Sequence, residues 1–253
     1  MSFYKVVIDT KGSDKGAVMV AEGVALALEK FPDLFAVLSG DEEYLRAEME
    51  KHGADASRIE YINAPDEITN YDNPGMAIFT KRDSSLVKAL EALAANDEYL
   101  GLVNAGSTGA LLAGSLRYLA TPDMQRPALC AVLPAENGAF TALVDTGATV
   151  DCSAAQLQHF AHLGRDHMRA LYGIESPKIG LLSNGKEEGK GNKVVKEAKT
   201  MRDIYGLDDE GLETIKYSKG RIDASEELVM GKIMDAAFAE DEDAKPAKKG
   251  GKK

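Results

Sequence analysis

The sequence predicts an α/β fold in which a mostly parallel sheet is covered by helices on both faces and one antiparallel hairpin is added. Three observations predict it. Short apolar runs alternate along the chain with segments whose apolar residues recur at helical spacing, the pattern of successive β-loop-α units. The stretch from Leu100 to Arg117 reads as a strand, a turn of small and polar residues, and a helix start in immediate succession. Glu136-Asn-Gly138 stands between two further apolar runs and has the chemistry of a tight hairpin turn. With 253 residues, 44% of them hydrophobic, the chain has side chains for a sizeable core. It is expected to form one α/β domain over 1–238, followed by a disordered charged tail over 239–253.

Phe3 to Ile8 opens as an apolar strand whose loop, Asp9-Thr-Lys-Gly-Ser-Asp14, leads into a helix. Val20, Val24 and Leu28 mark one face of that helix, and it closes before Pro32. Phe35 to Leu38 is a second strand, Gly40-Asp41 a turn, Glu42 to His52 a charged helix and Ile59 to Ile62 a third strand. Pro65 to Asn73 is acidic and turn-rich, and Met76 to Ser85 leads from it into an apolar helix over Leu86 to Leu93. Leu100 to Val103 reads as a buried strand, and Ser107 or Thr108 can cap the helix that follows with its hydroxyl. Ala128 to Leu133 and Phe140 to Val144 are the two strands of the hairpin. A long helix from about Ser153 to Tyr172, a strand over Lys178 to Leu182 and a helix over Val194 to Tyr205 come next. Glu213 to Tyr217 is a short strand and Glu226 to Phe238 a helix.

The net charge of −11 disfavours nonspecific binding to nucleic acid or to an anionic membrane, so an anionic partner must meet a local basic patch. Cys130 and Cys152 make neither a disulfide framework nor a zinc spacing. With no signal peptide and no apolar run of membrane length, a cytoplasmic protein is expected. The basic end of the tail, Lys245 to Lys253, offers at most a peripheral contact with the inner face of the membrane.

In a parallel α/β sheet, ligands bind outside the carboxyl ends of the strands, so the chemistry is sought in the loops that follow them. The first is Asn104-Ala-Gly-Ser-Thr-Gly109, where free N–H groups at a helix start favour phosphate and Gly106 and Gly109 admit a ligand close to the backbone. An ordinary strand-to-helix turn has the same composition. Lys81 and Arg82 offer charge to an anion, with hydroxyls from Ser84 or Ser85, unless they form a solvated helix face. Asp145 and Asp151 suit acid-base work or a cation, although Asp151 is equally placed to cap the following helix. His159, His162 and Asp166 share a helical face but lack a fourth ligand, so no metal site is assigned. Finally, Asn184, Lys186, Lys190 and Asn192 lie in a glycine-rich loop and offer charge and neutral donors to a phosphate or an oxyanion. A plain surface loop would look alike. Neither a Ser-His-Asp spacing nor a dinucleotide fingerprint after the first strand is present.

Taken together and in order, Asp9-x-x-Gly-Ser-Asp14, Lys81-Arg-Asp-Ser-Ser85, Asn104-Ala-Gly-Ser-Thr-Gly-Ala-Leu111, Asp145-x-Gly-Ala-x-Val-Asp-Cys152 and Gly185-Lys-Glu-Glu-Gly-Lys-Gly-Asn192 resemble the bacterial phosphate acyltransferases of phospholipid synthesis, the PlsX family. The resemblance runs from about residue 3 to 200. It implies a Rossmann-like three-layer α/β/α sandwich and a homodimer. The implied reaction joins inorganic phosphate to the acyl group of acyl-[acyl carrier protein], giving acyl phosphate with no metal or other cofactor. Phosphate would sit against Gly106 to Gly109, with Asp9, Asp14, Lys81, Ser84, Ser85, Asn104, Ser107, Thr108, Asp145, Asp151 and Asn184 around the substrates. Lys190, with Asn192, would stabilise the oxyanion or the departing thiolate. Arg82, Arg117, Arg126, Lys186, Lys190 and Lys193 are the basic candidates for docking the acidic carrier protein.

The opening loop departs from the usual Asp-Ala-Met-Gly-Gly-Asp at Thr10, Lys11 and Ser13, and Ser107 stands where the family has Asn. After about Tyr205 no counterpart of the family's further glycine-rich segments is present, so a shortened or divergent member is expected. Two other readings compete: an acyl-phosphate enzyme that uses acyl-coenzyme A, like a phosphotransacetylase, and a non-catalytic dimeric binding or scaffold protein on the same fold.

Overall fold

The structure, a computed structural model, describes residues 3–122, 126–134, 140–149, 151–183, 191–200, 212–218 and 221–223. The chain divides into two units, Met1–Pro127 and Ala128–Lys253.

In the first unit, β1 (Tyr4–Asp9), β2 (Leu34–Gly40), β3 (Ile59–Asn63) and β4 (Tyr99–Asn104) form one parallel sheet in the order β3-β2-β1-β4. Each crossover carries helix: α1 (Gly16–Lys30), α2 (Glu42–Lys51), then α3 (Pro74–Thr80) and α4 (Ser85–Ala95), with α5 (Thr108–Tyr118) after β4. Alternation along the strands divides the core between two faces. Ile8 and Leu38 pack with Val24 and Leu28 of α1 and with Leu45 and Met49 of α2 on one side. Val7 and Val37 meet Ala89 of α4 on the other. The result is three layers, helices over sheet over helices, as expected. On the α4 side, Ile78, Leu86, Leu90 and Ala110 join α3, α4 and α5.

One element is added and one expectation is corrected here. α3, which the sequence reading does not include, begins at Pro74 behind an Asn73 cap whose side chain accepts from the Met76 N–H at 3.0 Å; proline suits the first helical position. The strand over Leu100 to Val103 is not buried: Leu100 is 64% and Val103 54% exposed. Among the described residues β4 is the edge strand of its sheet.

In the second unit, β5 (Cys130–Pro134) and β6 (Phe140–Val144) pair antiparallel from Cys130↔Val144 to Pro134↔Phe140, as the hairpin reading predicts. The turn residues Glu136 to Gly138 lie outside the described residues. α6 (Ala154–Tyr172) starts with a capping box formed by Ser153 and Gln156 and ends at Gly173 with φ 65°. The cap is therefore Ser153; Asp151 is exposed and does not cap α6, because the chain turns helical only after the serine, whose hydroxyl reaches the third helical N–H. β7 (Ile179–Ser183), α7 (Lys193–Thr200), β8 (Leu212–Ser218) and β9 (Arg221–Asp223) follow. β7 and β8 are parallel, whereas β8 and the unanticipated β9 are antiparallel. The helix expected over Glu226 to Phe238 and the tail, 239–253, lie outside the described residues.

Candidate active site

β1 is the switch point of the first sheet, because β2 and β3 lie to one side of it and β4 to the other. The carboxyl ends of β1 and β4 therefore mark the crevice position at which α/β proteins bind ligands. Asp9 and Asn104 end these strands in register with each other. Their loops then press together: a β-carbon on Gly106 would lie 3.2 Å from the Gly12 backbone. Gly12 itself has φ 76°, and a β-carbon there would stand 2.5 Å from the Ile68 carbonyl oxygen, so only glycine fits.

Asp9 is 3% exposed. Burial pushes its carboxyl up to about 6, offset in part by hydrogen bonds from Ser85 and the Lys11 N–H and reinforced by the charge of Glu67. A buried relay lies beside it. The Thr10 hydroxyl donates to the Ser39 carbonyl and the Ser39 hydroxyl to the Ser85 carbonyl, each at 2.8 Å. Ser84 and Ser85 are fully buried, and Ser84 caps α4 by accepting from the Val87 N–H at 3.4 Å. Of the two serines expected at a phosphate, one therefore anchors a helix and the other supports Asp9.

Lys81 donates at 2.9 Å both to the Glu67 carbonyl and to Asp72, whose carboxyl falls to about 2 through that bond and those from Thr69. The Lys11 ammonium donates to the Pro65 carbonyl at 2.7 Å, and the Asn70 amide to Asp14 at 3.1 Å. The 65–72 loop is thus held to the crevice from three directions. Neither Asp72 nor Thr69 was picked out in the sequence, although the Thr69-x-x-Asp72 spacing suits a hydroxyl-carboxylate turn.

At the start of α5, Ser107 is the cap, accepting from the Ala110 N–H at 3.4 Å. Asn104 accepts from the Gly106 N–H through Oδ1, while its Nδ2 is buried with no partner among the described residues. Thr108 and Gly109 are exposed and lie in the first turn, where N–H groups have no intrahelical acceptor. The start of α5 therefore leaves two backbone donors at the positive end of a helix dipole, which favours an anion, and the buried Asn104 Nδ2 lies in the turn just before them.

In the second unit Asp145 adopts φ 60° at the end of β6, where its N–H donates to the Leu129 carbonyl at 2.6 Å. The Cys152 thiol donates to Asp145 Oδ2 at 3.5 Å, while Oδ1 is buried and unpartnered among the described residues. Asp145 and Cys152 are thus brought together, and Asp151 is turned to solvent. Asn192 accepts from the Val195 N–H at 2.8 Å at the start of α7. Asn184, Lys186 and Lys190 lie outside the described residues. No three described His, Cys, Asp or Glu side chains group to hold a metal ion.

Around Phe79, 51% exposed, Arg117 stacks its guanidinium 4.4 Å from the ring centre and Arg82 donates to the Phe79 carbonyl at 3.4 Å. Among the described residues no helix is long and apolar enough to cross a membrane.

The model of the family described as fatty acid synthesis protein matches residues 4–211. A phosphate acyltransferase of Halothermothrix orenii is 35% identical over 200 residues, 79% of this chain and 59% of that protein. Another, of Pelotomaculum thermopropionicum, is 38% identical over 218 residues, 86% of this chain and 61% of that protein. The chain thus spans about three-fifths of the length of these relatives. Among solved structures, the EutD phosphotransacetylase from Staphylococcus aureus superposes with a TM-score of 0.57 at 17% identity, covering 87% of this chain and 69% of that one. A branched-chain phosphotransacylase from Enterococcus faecalis V583 gives a TM-score of 0.52 at 16% identity, covering 96% and 75%. Likeness at such identities is one of fold. The match to the family model runs through the Asp9, Asn104 and Asp145 loops, and the chain belongs to the fatty acid synthesis protein family; the two relatives named above are phosphate acyltransferases.

Proposed function

We propose that the chain is a phosphate acyltransferase that forms acyl phosphate from acyl-[acyl carrier protein] and inorganic phosphate, in phospholipid synthesis. The observation that carries this reading is the crevice at the β1/β4 switch point, where the N–H groups of Thr108 and Gly109 and the unpartnered Nδ2 of Asn104 are all donors. A phosphate oxygen attacks the thioester carbonyl carbon, the carbon-sulfur bond breaks, and the proton of monohydrogen phosphate ends on the carrier thiol. Phosphate is itself the nucleophile, so no protein nucleophile is needed. What the protein supplies is position and fixed positive charge. Asp9 and Asp14 order the β1 loop, Lys81 orders the 65–72 loop, and the donors at the start of α5 hold phosphate.

Lys190 takes the role of stabilising the oxyanion or the leaving thiolate. Its replacement, Lys190→Ala, lowers turnover by about a hundredfold, the loss typical of a donor aimed at developing charge. Near-normal turnover in a folded variant removes it from the mechanism. The acidic carrier protein docks on Arg82, Arg117 and the exposed ring of Phe79, so its binding weakens steeply with salt. The protein works as a cytoplasmic homodimer.

The test is hydroxylamine trapping of acyl phosphate after mixing the chain with phosphate and long-chain acyl-[acyl carrier protein], with acyl-coenzyme A in parallel. Phosphate-dependent product from the carrier protein supports the proposal. Product from coenzyme A alone favours the phosphotransacetylase-like reading, as the fold of the two structural neighbours would allow. No product from either donor, with a folded dimer, favours a scaffold.

A further inference from the structure

The first unit holds a cavity of about 740 Å³ between α1 and the sheet. Ile8 of β1 and Val103 of β4 form its floor, and Val20, Gly23 and Ala27 of α1 its wall. It follows the helix, whose 15 residues span about 22 Å at 1.5 Å per residue. One end is lined by Ser13, Lys15 and Ala105, all in the two loops that make the crevice; Ala105 adjoins Asn104. At the other end are Phe31 and Leu34.

Gly23 is the unexpected member of the wall. It sits in the middle of α1, where glycine is among the least favourable residues, and a β-carbon there would meet nothing within 4 Å. Neither a left-handed backbone nor a close neighbour requires the glycine; what it leaves is width in the cavity. On the opposite side, Val103 is left 54% exposed. A molecule whose reacting carbonyl lies at the Asn104–Gly109 loop and whose remainder is hydrocarbon finds a mostly apolar groove of matching chemistry starting beside that loop. A polar or phosphorylated remainder would meet apolar walls along most of the cavity.

We infer that the α1 groove receives the hydrocarbon of a long-chain acyl group, its carbonyl end beside Ser13 and Ala105 and its methyl end towards Phe31 and Leu34. This rests on the reading of the crevice as an acyl-phosphate-forming site.

The experiment measures displacement of cis-parinaric acid from the whole chain by straight-chain fatty acids of four to sixteen carbons, which needs no turnover. In the intact chain, affinity rises about fourfold per methylene, the factor corresponding to burial of one CH₂, until the groove is filled. Gly23→Leu fills the groove from its wall. It lowers affinity for the sixteen-carbon acid at least tenfold and leaves that for the four-carbon acid unchanged. Gly23→Ala, which adds a single methyl group, produces a smaller loss in the same order, and the helical signal in circular dichroism reports folding of both variants. Affinity independent of chain length overturns the inference, as does a folded Gly23→Leu that binds the sixteen-carbon acid normally. The second outcome is the one expected if polypeptide covers the groove. Trapping of acyl phosphate with a flat chain-length series sinks the groove but not the proposed activity; a steep, Gly23-sensitive series without acyl phosphate does the reverse.

Discussion

Replacing Asp9 with asparagine isolates what one buried carboxylate does to the fold. The side chain is 3% exposed, and its carboxyl titrates at about 6 against an ordinary value of 3.8. Because the folded value is raised, the folded chain holds a proton that the unfolded chain has released between pH about 4 and 6. Stability therefore falls as pH rises through this window and is level above it. A displacement of about two units corresponds to about 3 kcal/mol at 1.36 kcal/mol per unit. Asparagine is a neutral near-isostere of the protonated acid and keeps an oxygen for the Lys11 N–H and Ser85. Asp9→Asn is thus expected to match the parent near pH 3.5 and to exceed it by up to about 3 kcal/mol at pH 7. The assay is urea unfolding by far-ultraviolet circular dichroism across pH 3.5 to 7.5, with the slope against urea checked for equality between the two proteins. Taking the difference between proteins removes the contribution of the chain's many other carboxylates. Parallel stability profiles, with no divergence between pH 4 and 6, would refute the assignment of a buried ionised Asp9. Catalytic turnover should fall in the same variant despite its gain in stability, because a loop ordered around a carboxylate is being asked to work without one.

Gly12→Ala forces both a left-handed backbone and a contact at 2.5 Å with the Ile68 carbonyl oxygen, and should cost at least about 2 kcal/mol by urea unfolding. Lys81→Met removes the main cause of the low Asp72 value, so carbon-13 NMR should find that carboxyl displaced from about 2 towards 3.8. Since a depressed carboxyl stabilises the fold above its ordinary value and loses that effect as pH falls, the variant should also be less sensitive to acid between pH 4 and 2. Ser153→Ala deletes the capping box of α6 and should lower stability by about 1 kcal/mol, with an unchanged midpoint counting against the cap.

Much of the first unit is legible because its signals are local. Val20, Val24 and Leu28 mark the α1 face from sequence spacing alone, and Ser107 caps α5 because a small hydroxyl residue precedes a helical run. The crevice follows from strand order, since loops after β1 and β4 must flank a switch point once the sheet is parallel. What spacing cannot convey is who meets whom across loops. Lys81 looks like a cation available to phosphate until the chain bends back to bring Asp72 within 2.9 Å of it. Ser84 and Ser85 look like donors to a ligand, whereas the fold buries them beside Asp66 and gives their polar atoms internal tasks. The error over β4 has a different origin. An apolar run has the same letters whether one face or both are covered, so Leu100-Gly-Leu-Val103 carried no mark of its edge position.

That edge position also bears on self-association. At the other border of the sheet, β3 displays the exposed Glu60, a charge that discourages a neighbouring chain from pairing. β4, Tyr-Leu-Gly-Leu-Val-Asn, has neither a charge nor a proline, and among the described residues its outer row of backbone donors and acceptors faces no strand. The two borders are therefore unequal templates, with addition of a strand favoured at β4. Light scattering of the chain at rising concentration, compared with that of Val103→Lys, reads this asymmetry: growth suppressed by the lysine places the sticky border at β4, and equal growth places it elsewhere.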